Sequence, residues 1–455
     1  MPHPEPLSGL DAAFLALDTR TTPMHMGAIG VFTPIGELDP RRLTAVLMQR
    51  AGKIPQLRMR VRSSRLPTST PVWRPDPRFD AARHIRVARI GRAEDPDALE
   101  RYASEWIARP LPQGQPLWSL EIVPGLANGD FAMLLKLHHA ITDGAGAVEV
   151  AAGLLDDVAL RRALTRASEP PAPRIERGRD LFSFGRAALS AVPAAARSVG
   201  RNLERAIGTA ELGYQVARAI RPGHTSPLGA TNSTSRGLKF VRLDTADLRR
   251  IRKLHGGTPN DVALAVLAGA LRAWLAGRDE AVDGVTLRAL IPVSLRGRNL
   301  EQSGGNRLSG YLCDLPIGVA DPIGRLRVVR AAMDRNKSAG PLKGAGALPM
   351  LANQIPAPVH LLATGLIGDA SNALFDTVVT NVGLPSIPLS LDGAALRASY
   401  PVVPLAPGQA LGVAISPYRD TVHIGLHADG QAIPDLDTLA HAVEKETTRL
   451  HELCM

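Results

Sequence analysis

The chain has 455 residues, of which 45% are hydrophobic and 21% are charged, so it is long enough for two folded domains and too apolar to be mostly disordered. Its net charge of +10 is compatible with nucleic acid, an anionic membrane surface or a phosphorylated small molecule as partner. The sequence contains no basic recognition helix, zinc-finger spacing or RNA-binding aromatic motif, so it does not favour nucleic acid.

The chain contains two cysteines, Cys313 and Cys454, so we predict no disulfide framework and a reducing compartment such as the cytoplasm. No stretch approaches the roughly 20 apolar residues that a membrane span requires, and the first residues lack a basic start followed by an apolar run. We therefore expect a cytoplasmic protein that is soluble or bound peripherally to a membrane.

Strands and helices are predicted along the whole chain from hydrophobic periodicity and from turn and cap signals. In the first part, strands are predicted at residues 28–32, 120–123 and 131–137, and helices at 40–52 and 95–109. Later, strands are predicted at 237–243 and 285–291, a long helix at 259–275, and a hairpin at 411–427 with its turn at Arg419 and Asp420. This mixture predicts an α/β or α+β fold with mixed sheets.

A proline-rich break after residue 168 indicates an interdomain connection. We predict an N-terminal lobe at 1–167, a helical basic linker at 168–230 and a C-terminal lobe at 231–455. The segment from Arg174 to Arg221 contains nine arginines but only four acidic residues, and its apolar residues recur at helical spacing. Two interpretations of these basic amphipathic helices remain open: a crossover with a solvated arginine face, or docking on an anionic membrane.

The strand predicted at 131–137 runs directly into His138 and His139. Because successive side chains of a strand point to opposite faces, one histidine should face a cavity and the other the scaffold. Thr142 or Asp143 can cap a helix that begins near Ala145, which places the histidines in the connection between a strand and the following helix. A histidine at such a position can act as a general base near neutral pH.

The residues of this segment also fit other interpretations. The two histidines could simply be core residues beside a capping Asp143. A zinc site is disfavoured, because adjacent histidines on a strand diverge. The glycines at 144 and 146 imitate a dinucleotide-binding fingerprint, but Glu149 stands where its third small residue belongs. The sequence also lacks the serine nucleophile elbow and the phosphate-binding P-loop.

Residues 138–144 match the His-His-x-x-x-Asp-Gly motif of the coenzyme A-dependent acyltransferases, a superfamily that includes chloramphenicol acetyltransferase and condensation domains. Over nearly its whole length the chain resembles the bacterial wax ester synthase/diacylglycerol acyltransferase family within that superfamily. The segments that carry this resemblance lie in the same order, at residues 6–12, 22–27, 116–118, 260–261, 292–296, 305–306, 380–385 and 404–409.

The resemblance implies two chloramphenicol-acetyltransferase-like lobes, joined by a helical crossover and enclosing a central tunnel. It implies that acyl-coenzyme A donates a fatty acyl group to diacylglycerol or a long-chain alcohol, with His139 as general base and no acyl-enzyme. His138 would support the site and Asp143 would organise it. Acyl-coenzyme A would be a co-substrate, with no further cofactor and no metal. The donors that stabilise the oxyanion are not identified by the sequence.

Several other residues are expected to support the site. We hypothesise that Asp143 pairs with Arg296, because the superfamily it resembles has an arginine in a similar place and because an unpaired buried carboxylate is costly. Gly144 completes the motif. Asn260 and Asp261 open the helix that Thr258 can cap, so a structural role is favoured for them. Asn381 follows a predicted strand, where it either supports the site or simply ends the strand.

Residues 227–232 depart from the stretch found in many relatives, which leaves the acceptor open. A related transferase that acylates a polyketide-type or other alcohol is one alternative. A catalytically inactive protein that binds lipid surfaces is another. The expected location is the inner face of the membrane or lipid droplets.

Overall fold

Two six-stranded sheets form the centre of the molecule, and a three-stranded sheet lies at the periphery. The computed structural model describes residues 5–62, 71–91, 95–156, 221, 224–294, 308–339 and 373–454. The peripheral sheet has the order β1-β4-β3 and comprises β1 (Glu5–Pro6), β3 (Met59–Arg62) and β4 (Val72–Pro75).

The first large sheet has the order β12-β13-β2-β7-β6-β5. Its strands are β2 (His25–Thr33), β5 (Ile85–Val87), β6 (Trp118–Val123), β7 (Phe131–His138), β12 (Ser390–Leu391) and β13 (Ala394–Val402). All eight residues of β7 are buried. A strand covered on both faces reads as a continuous apolar run, which explains the pattern that precedes the two histidines.

The second large sheet has the order β10-β9-β11-β14-β15-β8. Its strands are β8 (Arg236–Asp244), β9 (Leu287–Ser294), β10 (Leu308–Leu315), β11 (Thr377–Asn381), β14 (Leu411–Tyr418) and β15 (Thr421–Asp429). β11 runs parallel to both β9 and β14, and the other pairings are antiparallel. Both parallel and antiparallel pairs occur, so the predicted class of mixed sheets is confirmed.

Helices pack against these sheets. The first four are α1 (Gly9–Leu17), α2 (Pro40–Ala51), α3 (Ala98–Ala108) and α4 (Gly144–Leu154). The others are α5 (Thr245–His255), α6 (Pro259–Ala276), α7 (Pro322–Ala339) and α8 (Leu436–Glu452). α6 is buried almost all round, because it lies between the second sheet and α5, α7 and α8. A helix in that position is expected to be apolar on every side.

The elements predicted from periodicity are confirmed. The strands predicted at 28–32, 120–123, 131–137 and 237–243 and the hairpin at 411–427 all form, as does the helix at 259–275. Thr258 caps α6, as its sequence indicated, and the structure adds that Asp261 completes a capping box with it. Several boundaries differ by one to three residues: for example, the helix predicted from residue 95 begins at Ala98, and the strand predicted at 28–32 spans His25–Thr33. The strand predicted at 285–291 spans Leu287–Ser294.

A strand from the C-terminal part of the chain belongs to the first large sheet. β13 pairs with β2 from Ala395 opposite Thr33 to Val402 opposite Gly27, so a C-terminal segment completes the first sheet. This pairing satisfies backbone groups of β2 that would otherwise form an open edge. The division at residues 167 and 230 stays a prediction, because most of the connecting segment lies outside the described residues.

Candidate active site

His139 is the first residue after β7, and its backbone N–H donates to the carbonyl of Met24 at 2.8 Å. Its ring stacks on Phe14 of α1, with ring centroids 4.0 Å apart and planes inclined by 23°. The residue is 9% exposed. The ring is therefore held against one aromatic face at the point where the strand ends.

A cavity of about 430 Å³ opens beside this ring and is lined by residues of both large sheets and of α4. Most of its lining is apolar, including Met26, Leu135, Val148, Val402 and Ala414. The polar side chains that line it belong to His139, Glu149, Thr380, Asn381, Ser399 and Ser416. A largely apolar cavity with a few polar groups is the usual form of a site for small molecules.

The His139 imidazole is neutral near pH 7. Burial lowers the pKa of His139 to about 4, and this effect outweighs a hydrogen bond with its own main chain and the charge of Asp143, which both favour the protonated ring. A neutral imidazole has one nitrogen without a proton. That nitrogen can accept a proton from a hydroxyl in the cavity.

His138 occupies the opposite face of the strand and is 1% exposed. Its Nδ1 accepts a hydrogen bond from the backbone N–H of Ala140 at 3.0 Å, so the proton of the neutral ring resides on Nε2. Nε2 lies 3.6 Å from Oδ2 of Asp18. The ring of His25 stands edge-on to that of His138, with centroids 5.9 Å apart.

Asp18 links this histidine cluster to helix α1, of which it is the C-terminal cap. Its Oδ1 accepts a hydrogen bond from the backbone N–H of Met24 at 2.9 Å. Burial raises the pKa of Asp18, but its interactions with His138 and the Met24 N–H outweigh burial and hold that pKa below the usual value. The carboxylate is therefore ionised beside two buried imidazoles.

Helix α1 thus reaches both histidines of the motif. Its Phe14 covers His139, and the Asp18 at its end faces His138. The helix starts with a capping box in which Ser8 and Asp11 satisfy each other's backbone N–H groups. This geometry gives a physical role to residues 6–12, one of the segments that carry the resemblance to the acyltransferase family.

Asp143 caps the N-terminus of α4, where its Oδ1 accepts from the backbone N–H of Gly146 at 2.9 Å. The carboxylate is fully buried. Its hypothesised partner, Arg296, lies outside the described residues, so that pairing stays a prediction. Gly144, the last residue of the motif, lines the cavity directly.

Asn260 and Asn381 are brought together from distant parts of the chain. The Nδ2 of Asn381 lies 3.5 Å from Oδ1 of Asn260, the long limit of a hydrogen bond, and Asn381 also lines the cavity. Asp261 is buried in the helix cap, with Oδ2 accepting from the Thr258 N–H at 2.7 Å and Lys337 3.5 Å from Oδ1. The structure therefore places Asn260 beside the cavity wall and Asp261 in the cap.

Among the described residues, no cluster of three or more histidine, cysteine, aspartate or glutamate side chains could hold a metal ion. No helix in the described part of the chain is long and apolar enough to cross a bilayer. Of the predicted basic helices between Arg174 and Arg221, only Arg221 is described. Its Nη2 donates to Oδ2 of Asp376 at 2.9 Å.

Two family models match the chain. The catalytic domain of wax ester synthase/diacylglycerol acyltransferase matches residues 7–263, and the C-terminal domain of the same family matches residues 304–451. The chain belongs to the wax ester synthase/diacylglycerol acyltransferase family. This family membership identifies it as an O-acyltransferase and confirms the resemblance seen in the motifs.

Individual members of the family match over almost the full length. The chain is 31% identical to the "Probable diacyglycerol O-acyltransferase tgs2" of Mycobacterium tuberculosis, covering 97% of this chain and 98% of that protein. It is 28% identical to the O-acyltransferase WSD of Acinetobacter baylyi, covering 97% and 96%.

Solved structures show the same fold. The wax ester synthase/diacylglycerol acyltransferase from Marinobacter aquaeolei VT8 aligns over 99% of both chains, with a TM-score of 0.72 and 24% identity. The first condensation domain of the calcium-dependent antibiotic synthetase aligns with a TM-score of 0.62 over 99% of this chain and 96% of that one, at 18% identity. The fold of this member of the wax ester synthase/diacylglycerol acyltransferase family is thus shared with condensation domains.

Sequence reasoning missed several residues around the histidines. Phe14, Asp18 and His25 lie more than a hundred residues before the motif, and Ser416 lies far behind it. The register of β2 against β7 sets His25 opposite His138, and helix α1, which precedes β2, carries Phe14 and ends at Asp18. A polar residue in an otherwise apolar strand was the available signal for Ser416.

Proposed function

We propose that the protein transfers a fatty acyl group from acyl-coenzyme A to the hydroxyl of diacylglycerol or a long-chain alcohol, with His139 as general base. The observation that carries this proposal is that the neutral His139 ring borders a mainly apolar cavity lined by both large sheets. The names of the related mycobacterial and Acinetobacter proteins support the reaction class.

In the proposed reaction the acceptor oxygen attacks the thioester carbonyl carbon while His139 takes the hydroxyl proton. The tetrahedral intermediate then collapses, the carbon–sulfur bond breaks, and the thiol of coenzyme A leaves with the proton from His139. The ester and free coenzyme A are the products, and no acyl-enzyme forms. Burial destabilises the protonated ring, so the proton is passed on readily to the leaving thiolate.

The neighbouring residues position this base. Phe14 stacks on the His139 ring, and the charge of Asp143 favours the transient imidazolium. His138 is proposed to support the loop by accepting from the Ala140 N–H. We assign the Asn260–Asn381 contact to maintenance of the cavity wall and Asp261 to the helix cap.

A product assay with purified wild-type protein tests the reaction class. We expect free coenzyme A and ester to appear in equal amounts from a long-chain acyl-coenzyme A with diacylglycerol or hexadecanol. Parallel reactions should contain acyl carrier-protein thioesters and polyketide-type alcohols. Transfer only in these parallel reactions would indicate the related transferase, and binding to liposomes without thiol release from any donor would indicate an inactive lipid-binding protein.

We also propose peripheral association with the inner face of the membrane or with lipid droplets. The net charge of +10 and the arginine-rich segment at 174–221 support this location, since cations bind anionic lipid surfaces. In a variant, the arginines of this segment that precede Arg221 are replaced by glutamine. This variant should no longer float with anionic liposomes. Arg221 is kept because it binds Asp376.

The control variant neutralises the exposed cations Arg41, Arg249, Arg252 and Lys253, which lie outside this segment of the sequence. It should float as wild type does. Unchanged flotation of the 174–218 variant would refute the role of that segment.

A further inference from the structure

Ser416 places a hydroxyl in the apolar wall of the active-site cavity. It lies on β14, is 1% exposed and lines the same cavity as His139. Its Oγ forms no hydrogen bond with any described residue. The hydroxyl of Ser399, which also lines the cavity, is less enclosed. Ser416 is thus a buried, unsatisfied polar group that faces the space where substrate binds.

A second polar group lies directly beside it. His423 on β15 is the cross-strand partner of Ser416, is fully buried, and its ring interacts with the main chain of Ser416. The ring stands edge-on to Tyr400, with centroids 5.2 Å apart. Burial, and to a lesser degree Arg242, lowers the pKa of His423 to about 4, so the ring is neutral and Ser416 has no fixed charge as its neighbour.

Buried hydroxyl groups are nearly always paired, and leaving one unpaired destabilises the folded protein. A cavity that receives only hydrocarbon chains would be lined better by alanine at this position. The serine is therefore explained by a ligand that brings an oxygen to this part of the wall. The thioester carbonyl oxygen of the donor is present with either acceptor. A long-chain alcohol adds one oxygen, which the base requires, whereas diacylglycerol adds two ester carbonyl oxygens besides its hydroxyl.

We infer that the Ser416 hydroxyl donates a hydrogen bond to an ester carbonyl oxygen of bound diacylglycerol, and so favours this acceptor over a long-chain alcohol. The inference rests on the proposed acyl transfer and names the acceptor that the site selects. His423 lies next to Ser416 as a neutral neighbour and leaves the hydroxyl hydrogen available to the ligand.

Two acceptors that differ only in the carbonyl oxygens provide the test. These are 1,2-dioleoylglycerol and its ether analogue, 1,2-di-O-oleylglycerol, each assayed with oleoyl-coenzyme A and the full-length protein. We expect wild type to use the ester with about tenfold higher kcat/KM, which corresponds to about 1.4 kcal/mol. Ser416→Ala should remove this preference by slowing the reaction of the ester alone.

Ser399→Ala is the matched control, since it removes a hydroxyl from the same cavity and should keep the preference of wild type. Unfolding by urea without substrate supplies a second measurement. Ser416→Ala should be at least as stable as wild type, because it removes an unpaired hydroxyl, whereas a purely structural serine would predict a loss of stability.

An unchanged preference in Ser416→Ala would overturn the inference. Equal losses with both acceptors would do the same, as would a raised KM for oleoyl-coenzyme A, which would assign the hydroxyl to the donor. If wild type transfers the acyl group to neither acceptor nor to hexadecanol, the proposed function itself is wrong and this inference with it.

Discussion

The half-buried carboxylate of Asp18 faces the buried ring of His138, with Oδ2 3.6 Å from Nε2. The other ring nitrogen accepts from the N–H of Ala140, the residue that follows His139. The Ala140 N–H thus fixes the tautomer of His138, with its proton on Nε2 facing the Asp18 carboxylate at the end of α1, and His138 links Asp18 to the main chain beside the proposed base. The same helix stacks Phe14 on His139, so one element orients both histidines.

Replacing Asp18 by asparagine should slow the reaction without removing the base. We expect kcat to fall between about tenfold and a hundredfold with a small change in KM, because misplacement of a catalytic group by about 1 Å costs up to that much. The loss should be non-additive with that of His138→Gln, since both act through one contact. Asp283→Asn at the surface is the control. Additive losses would show that Asp18 does not act through His138.

Asp143 is predicted to combine a helix cap with an ion pair. Asp143→Ala should lower the free energy of unfolding by at least about 1 kcal/mol, the usual cost of losing an N-terminal cap. Asparagine also caps helices, so a decrease in the free energy of unfolding of Asp143→Asn reports on the missing charge. If the carboxylate pairs with Arg296, Asp143→Asn and Arg296→Ala should be coupled in urea denaturation and in activity. Strictly additive effects would argue against that pair.

Stability should decrease on mild acidification. Burial lowers the pKa of His25 to about 3 and those of His139, His423 and His427 to about 4. In the unfolded chain these groups bind protons near pH 6.5, so between pH 6.5 and 4 the unfolded state binds more protons than the folded state. The contribution of these histidines to the free energy of unfolding should therefore be complete above pH 6.5 and fall below it, each group lowering the free energy of unfolding by about 1.4 kcal/mol per pH unit. Lys136, whose pKa burial lowers to about 7, adds a separate rise of stability with pH above 7.

Urea denaturation at pH 7.5, 6.5 and 5.5 measures this slope. Carboxylates with lowered pKa, such as Asp18 and Asp376, lose their contribution only in more acidic solution and do not affect the window. A free energy of unfolding that is constant from pH 7.5 to 5.5 would mean that these histidines are not buried as neutral rings.

The pH dependence of activity should differ from that of an ordinary histidine base. Because the pKa of His139 is about 4, the ring remains unprotonated well below pH 6.5. Initial values of kcat/KM, measured immediately after a jump from pH 7.5, should stay nearly constant down to about pH 5 and then fall. A half-maximal value near pH 6.5 would contradict the low pKa in the free protein.

Local sequence patterns predicted the elements of the site well. The buried run of β7 and the cap at Asp143 are encoded within a few residues, so the position of His139 at a strand end followed from the sequence alone. The cap at Thr258 was predictable for the same reason. Such features depend on neighbours in the chain rather than on tertiary contacts.

The contacts that complete the site could not be predicted in this way. β13 joins the first sheet through pairing with β2, more than 350 residues away, and no periodicity encodes that choice of partner. Asp18 reaches His138 only because β2 and β7 pair in one register. Ser416 borders the cavity because β14 packs against β13, which is a property of the two sheets together.

The central claim is that the His139 ring removes the acceptor proton, and the rate of acyl transfer by His139→Ala tests it most directly. Thiol release and ester formation should be compared with wild type and with His441→Ala, an exposed histidine on α8. We predict a loss of about a hundredfold or more for His139→Ala at unchanged folding, and full activity for the control. A folded His139→Ala protein that forms ester at close to the wild-type rate would contradict the account.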